Sequence, residues 1–195
     1  MGAAELLIVV AAMVALIVVV LLIVFFVSRR SRARRREEQR ERSRGEFGPE
    51  YERTARETGS EEEAERELRR RRAGVERRVE PLSDGRREHY EGRWGEVERV
   101  FVDNPGRSVE MADRTVSDML HEQNIAADAS RGDEETEKNL AALHPDVADD
   151  YREARRIRAG VVARSVQDGA EERSTEDSRQ AIRRYRAVYE RLLGG

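Results

Sequence analysis

Hydrophobic and polar positions are arranged along this chain in two different ways. From Leu6 to Val27, 22 consecutive residues carry no charged or polar side chain. A helix of that length rises about 33 Å at about 1.5 Å per residue, against a hydrocarbon layer of about 30 Å, so the run is expected to be a membrane span. Beyond Ser28 the apolar residues become sparse and fall at helical spacing.

The periodic part reads as a series of helices. Phe47-Gly48-Pro49-Glu50 starts a short one, with proline in its first turn, and Gly59 ends it. Ser60-Glu61-Glu62-Glu63 is a capping box for the next, acidic early and basic late at Arg69 to Arg72, in accord with the helix dipole. Its few apolar residues, Ala64, Leu68 and Val75, suit a solvated helix or stalk. After Pro81-Leu82-Ser83, Tyr90, Trp94, Val97 and Phe101 form one stripe, broken at Asn104-Pro105-Gly106. Val109, Ala112, Val116, Met119 and Leu120 form a second, ending near Asn124. Ala126 to Glu135 reads as a loop and Leu140 to Leu143 as a short helical turn stopped at His144-Pro145. Val147, Tyr151, Ala154, Ile157 and Val161 give a third stripe. The polar Gln167 to Arg173 breaks the pattern, and Ser174 or Thr175 caps a last helix with Ile182, Tyr185, Val188, Tyr189 and Leu192 on one face.

The expected fold is therefore all-α. An N-terminus of residues 1–5 precedes a transmembrane helix over 6–28, a basic juxtamembrane segment over 29–46, a charged helical stalk over 47–80 and a small helical domain over 81–195. The striped helices hold six of the eight aromatic residues outside the span. Tyr90, Trp94, Phe101, Tyr151, Tyr185 and Tyr189 are accordingly candidate anchors, either of a small core or of an exposed strip for a partner protein.

Charge fixes the expected orientation. Between Arg29 and Arg44 nine arginines face three glutamates, a net charge of +6. Basic residues within about 15–20 positions of a span stay cytoplasmic, which places the N-terminus outside and the C-terminal part inside. A cleaved signal peptide fits less well, because the start has no basic residue and the apolar run exceeds the usual ~7–15 residues. Arg29, Arg30, Arg32, Arg34, Arg35 and Arg36 are also candidate contacts to anionic lipid headgroups, each worth about 1 kcal/mol near such a surface. Nucleic acid is disfavoured as a partner, since the tract lacks interleaved aromatics.

Leu, Ile, Val and Phe make up only 24 of the 168 residues after Val27, a fraction below the ~20 per cent associated with disorder at high net charge. The whole chain carries only −3, so its opposite charges can pair along helices. No cysteine is present, and no nucleotide loop, nucleophile elbow or zinc-protease signature occurs: Ile125 stands where a second histidine would follow His121-Glu122. His89, His121 and His144 are too far apart in sequence for a local metal site. No cofactor, metal site or catalytic residue is expected.

The spaced residues Phe47-Gly48-Pro49-Glu50-Tyr51, Pro81-Leu82-Ser83, Tyr90, Trp94, Phe101-Val102-Asp103, Ala112-Asp113, His144-Pro145-Asp146-Val147 with Tyr151-Arg152, and Thr175-Glu176 through Tyr185-Arg186 resemble a family of uncharacterised bacterial proteins, single-pass membrane or secreted. The resemblance covers roughly residues 44 to 193. It implies a bacterial origin and an all-helical domain, and it implies no activity. The polar stretch from Ala126 to Glu135 departs from the pattern. The expected role is a membrane-tethered helical scaffold or interaction module at the cytoplasmic face of the inner membrane. The alternative is an electrostatic binder of anionic lipid or nucleic acid through Arg29 to Arg44.

Overall fold

The structure, a computed structural model, describes residues 40–126, 132–165 and 171–194. The apolar run and Arg29 to Arg36 lie outside these. Among the described residues no helix is long and apolar enough to cross a membrane, and no strand occurs. The chain divides into units 1–45 and 46–195; of the first, residues 40–45 are described and are helical.

Unit 46–195 is built from α1 (Pro49–Thr58), α2 (Glu61–Glu76), α3 (Asp84–Asp103), α4 (Pro105–Glu122), α5 (Gly132–Leu143), α6 (Pro145–Ser165) and α7 (Glu171–Gly194). The boundaries follow local chemistry. Gly59 adopts the left-handed φ of 72° that ends α1, a conformation costing L side chains energy that glycine avoids. Ser60 Oγ accepts a hydrogen bond from the Glu63 amide at 3.3 Å, half of the anticipated capping box. Asn104 both ends α3 and caps α4, its Oδ1 accepting from the Arg107 amide at 3.0 Å, with Pro105 as first residue of the new helix.

α7 packs most extensively on α6 and α4, α3 lies along α4, and α2 meets α5. The main core takes residues from α3, α4, α6 and α7, among them Val97, Val116, Tyr151, Tyr185 and Leu192, together with Val75 near the end of α2. Phe47, Tyr51 and Leu68 form a separate small cluster between α1 and α2. α2 is thus not solvated on every side: Ala64, Leu68 and Val75 are all buried. Beside them Arg71 bonds Glu135 across the contact with α5.

Two boundaries differ from the sequence reading. α5 begins at Gly132, inside the stretch read as a loop, and is a helix of 12 residues where a single turn was expected. Asp133, Glu134 and Glu135 sit in its first turn, where acidic charge favours the helix N-terminus, and the buried Thr136, Asn139 and Leu140 face inward. α7 begins at Glu171, ahead of Ser174 and Thr175. Residues 127–131, in the α4–α5 connection, and 166–170, which form the whole α6–α7 connection, lie outside the described residues.

Polar side chains tie off several helix ends. The buried Gln123 Nε2 donates to the Leu192 carbonyl at 2.8 Å, and the buried Asn139 Nδ2 donates to the Ile125 carbonyl at 3.0 Å. Each satisfies a carbonyl that a helix end or turn would otherwise leave without a partner.

Candidate functional site

The six candidate aromatic anchors have separate fates. Tyr90, Trp94, Tyr151, Tyr185 and Tyr189 are buried, each 5% exposed or less, and all belong to the main core. Phe101 is half-buried near the C-terminal end of α3. Among the described residues, the large apolar side chains left exposed are Val102 and Val162. What the described surface offers is therefore mostly charge, and the informative groupings are polar.

The first grouping joins three helices. Tyr185 on α7 donates its hydroxyl to Asp113 Oδ1 on α4 at 2.8 Å, in the interior. Arg158 Nε on α6 lies 3.2 Å from Asp113 Oδ2, near enough for an ion pair though not aligned for a hydrogen bond. Burial, reinforced by the Asp113 charge, holds the Tyr185 phenol far above the usual range. Burial pushes the neighbouring Tyr151 phenol up to about 12. Both oxygens of Asp113 are engaged, which makes this carboxylate a cross-link.

The second grouping lies along α3 and α4. Glu122 accepts from the Tyr90 hydroxyl at 2.8 Å and from Arg86 Nε at 2.6 Å, while the Arg86 guanidinium sits 5.2 Å from the Tyr90 ring centre. The Arg86 hydrogen bond holds the Glu122 carboxyl below the carboxylate range, and burial raises the Tyr90 phenol.

A third runs along the seam between the α1–α2 hairpin and α5–α6. Glu50, 5% exposed, accepts from Arg152 Nη2 at 2.6 Å and from Arg53 Nη1 at 3.2 Å. Arg71 on α2 donates to Glu135 at 2.6 Å, to Glu67 at 3.1 Å and to Asn139 Oδ1 at 3.4 Å. Lys138 on α5 approaches Glu57 at 4.0 Å. At the C-terminal end of α2 this seam opens into a cavity of about 180 Å³ lined by residues that include Arg70, Arg71, Gly74, Arg78 and Glu135. A second cavity, of about 210 Å³, lies between α6 and α7, where Arg184 donates to Asp150 at 2.8 Å.

The histidines are dispersed. His144 accepts at Nδ1 from Arg191 Nε at 3.1 Å, and burial holds its pKa below the ordinary imidazole value. His89 packs against the edge of the Tyr90 ring with centroids 5.4 Å apart, and His121 is exposed. Among the described residues no group of three or more histidines and carboxylates is arranged to hold a metal ion.

Asp113, Glu50, Arg152 and Arg71 carry no signature in the sequence. With 39% of residues charged, a particular carboxylate or guanidinium stands out only once the fold supplies its partner. No family model, curated protein or solved structure matches the chain.

Proposed function

We propose that this chain is a non-enzymatic scaffold or interaction module, tethered by one N-terminal transmembrane helix and working at the cytoplasmic face of a bacterial inner membrane. One observation carries the reading: an uncharged run from Leu6 to Val27 is followed at once by a tract of net charge +6. The run has the length to span a bilayer, and the tract has the sign that is retained on the cytoplasmic side. The helical unit 46–195 is consistent with it, since Tyr90, Trp94, Tyr151, Tyr185 and Tyr189 are committed to its main core and the surface is mostly charged. The bacterial assignment rests on the residue pattern between Phe47 and Tyr185.

The direct test is topological. A fluorescent protein fused after Gly195 should glow and an alkaline phosphatase fused there should be inactive; the reverse result overturns the orientation and the cytoplasmic role together. A mature N-terminus beyond Ser28, read by mass spectrometry, overturns the anchor itself. A stoichiometric protein recovered with the chain from detergent-solubilised membranes supports the scaffold. The density of arginine in the tract favours a second reading, direct capture of anionic headgroups by Arg29 to Arg44. Binding of anionic vesicles that survives physiological salt supports this second reading, because a weak surface attraction is screened over about 8 Å.

A further inference from the structure

We propose that the groove between α2 and α5 binds a phosphate monoester group, with the Arg70 and Arg78 guanidiniums as its ligands and Gly74 in its lining. The proposal rests on the groove alone and stands apart from the membrane reading.

Arg70, Gly74 and Arg78 are spaced four apart, which sets them along one side of α2 and the turn that follows it. Arg70 lies within α2 and Arg78 in the turn just beyond its end, with Gly74 midway between them in sequence. Both arginines line one cavity with Gly74, where an added Cβ would meet nothing within 4 Å. Glycine inside a helix weakens it relative to alanine, and its φ here is not one that requires glycine. Gly74 lines the cavity, so a methyl group added there would stand in the space open to a ligand.

The state of the three arginines separates structure from ligand capture. Arg71 is committed, bonded to Glu135, Glu67 and Asn139 at the back of the cavity. Arg70 is 77% exposed along its side chain, and its ion pair with Glu67 is long, at 3.7 Å. Arg78 donates Nε to the Asn124 carbonyl at 2.9 Å, and among the described residues no carboxylate stands within ion-pair distance of its guanidinium. Two guanidiniums with spare donors therefore flank a cavity whose three arginines exceed its two glutamates, Glu67 and Glu135, by one charge.

That arrangement selects among anions. A carboxylate is planar, singly charged and satisfied by one guanidinium fork; beside Glu67 and Glu135 it gains little over them. A phosphate monoester carries close to two charges and three terminal oxygens, so it can accept from forks on both sides at once. The group could belong to a soluble compound or to a lipid headgroup, and the chemistry of the groove is the same for both.

The test uses the full chain in zwitterionic detergent micelles, titrated calorimetrically with inorganic phosphate at fixed ionic strength and at a pH where phosphate is mostly dianionic. One saturable site is expected. Arg70→Gln and Arg78→Gln should each weaken it about tenfold, in line with loss of a charge-assisted hydrogen bond. Arg99→Gln, which removes an equally exposed arginine paired to Glu96 on α3, should leave it unchanged. Gly74→Ala should raise the melting temperature without phosphate while weakening phosphate binding, opposite signs that a purely structural role would not give. Absence of a saturable site, or equal affinity in the Arg70, Arg78 and Arg99 variants, overturns the proposal. To identify the source, the titration is repeated in bilayer nanodiscs. Suppression of phosphate binding by phosphatidic acid, but not by phosphatidylglycerol, supports a lipid monoester, and undiminished binding in both supports a soluble one.

Discussion

Trp94 on α3 and Tyr189 on α7 stack with ring centroids 4.5 Å apart and planes 16° from parallel. Glu98 closes the edge of this pair, accepting from Trp94 Nε1 at 3.1 Å and from Arg186 at 3.0 Å. The stack joins the first striped helix to the last across 95 residues of sequence, so it forms only when the bundle is assembled. Trp94→Ala in fragment 46–195 should cost about 3–5 kcal/mol, a large share of the stability of an ordinary domain. Chemical denaturation measures this directly, and tryptophan emission of the parent fragment should be at short wavelength. A loss below 1 kcal/mol would show that the stack is peripheral to folding.

The Asp113–Tyr185 bond should contribute as a buried hydrogen bond to a charged acceptor. Tyr185→Phe keeps the ring and removes the donor, with an expected loss of about 1.5–3 kcal/mol. Asp113→Ala should be worse, because it strands the Tyr185 hydroxyl in the interior and frees Arg158 from its counter-charge. A double-mutant cycle reads the coupling, and additive losses would mean that the two residues act separately.

Truncation separates the two apolar clusters. Fragment 46–195 should unfold in one cooperative transition, whereas fragment 81–195 loses the buried Val75 and the Arg71–Glu135 bridge and should melt several degrees lower. Calorimetry on the two fragments compares them. Equal melting temperatures would show that α1 and α2 add nothing to the body.

The buried carboxylate of Glu50 ties α1 to α6. Arg152→Ala leaves it with Arg53 alone, itself 40% exposed, and should destabilise by about 1–3 kcal/mol. Hydrogen exchange should quicken in α1 first, since its own apolar cluster is small. Uniform acceleration over all helices would assign Glu50–Arg152 to global stability instead.

Alkaline pH should unfold the bundle through its phenols. Tyr151 and Tyr185 have folded pKa values raised above the ordinary 10, so they favour the neutral form in the folded state. The stability that this difference contributes is complete below pH 10 and is lost as pH rises toward the folded values, about 12 for Tyr151. Tyrosinate absorbance and loss of helical circular dichroism should therefore rise together above pH 10. Full phenol titration near pH 10 with helicity intact would contradict the buried placement.

Sequence alone determined most of the helices and the buried faces of the striped ones. The spacing that groups Tyr90, Trp94 and Val97, or Tyr185, Val188, Tyr189 and Leu192, is set by 3.6 residues per turn, a local property readable without a fold. Proline at Pro49, Pro105 and Pro145 and glycine at Gly59 marked boundaries for the same reason, because they act on their own backbone. The start of α5 was not legible: Asp, Gly and Glu around it suit a loop as well as a helix N-terminus, and burial of Thr136 and Asn139 decides between them. Tertiary structure alone chose the partners of charge between helices, whereas pairs within one helix, such as Arg71 with Glu67, follow from sequence spacing. Nearly every helix face carries both signs, so sequence offered many equivalent pairings, and only the packing of α2 on α5, of α1 beside α6 and of α4 against α6 and α7 selected Arg71 with Glu135, Glu50 with Arg152, and Asp113 with Arg158 and Tyr185. The groove between Arg70 and Arg78 has the same origin, since a cavity is a property of two surfaces brought together.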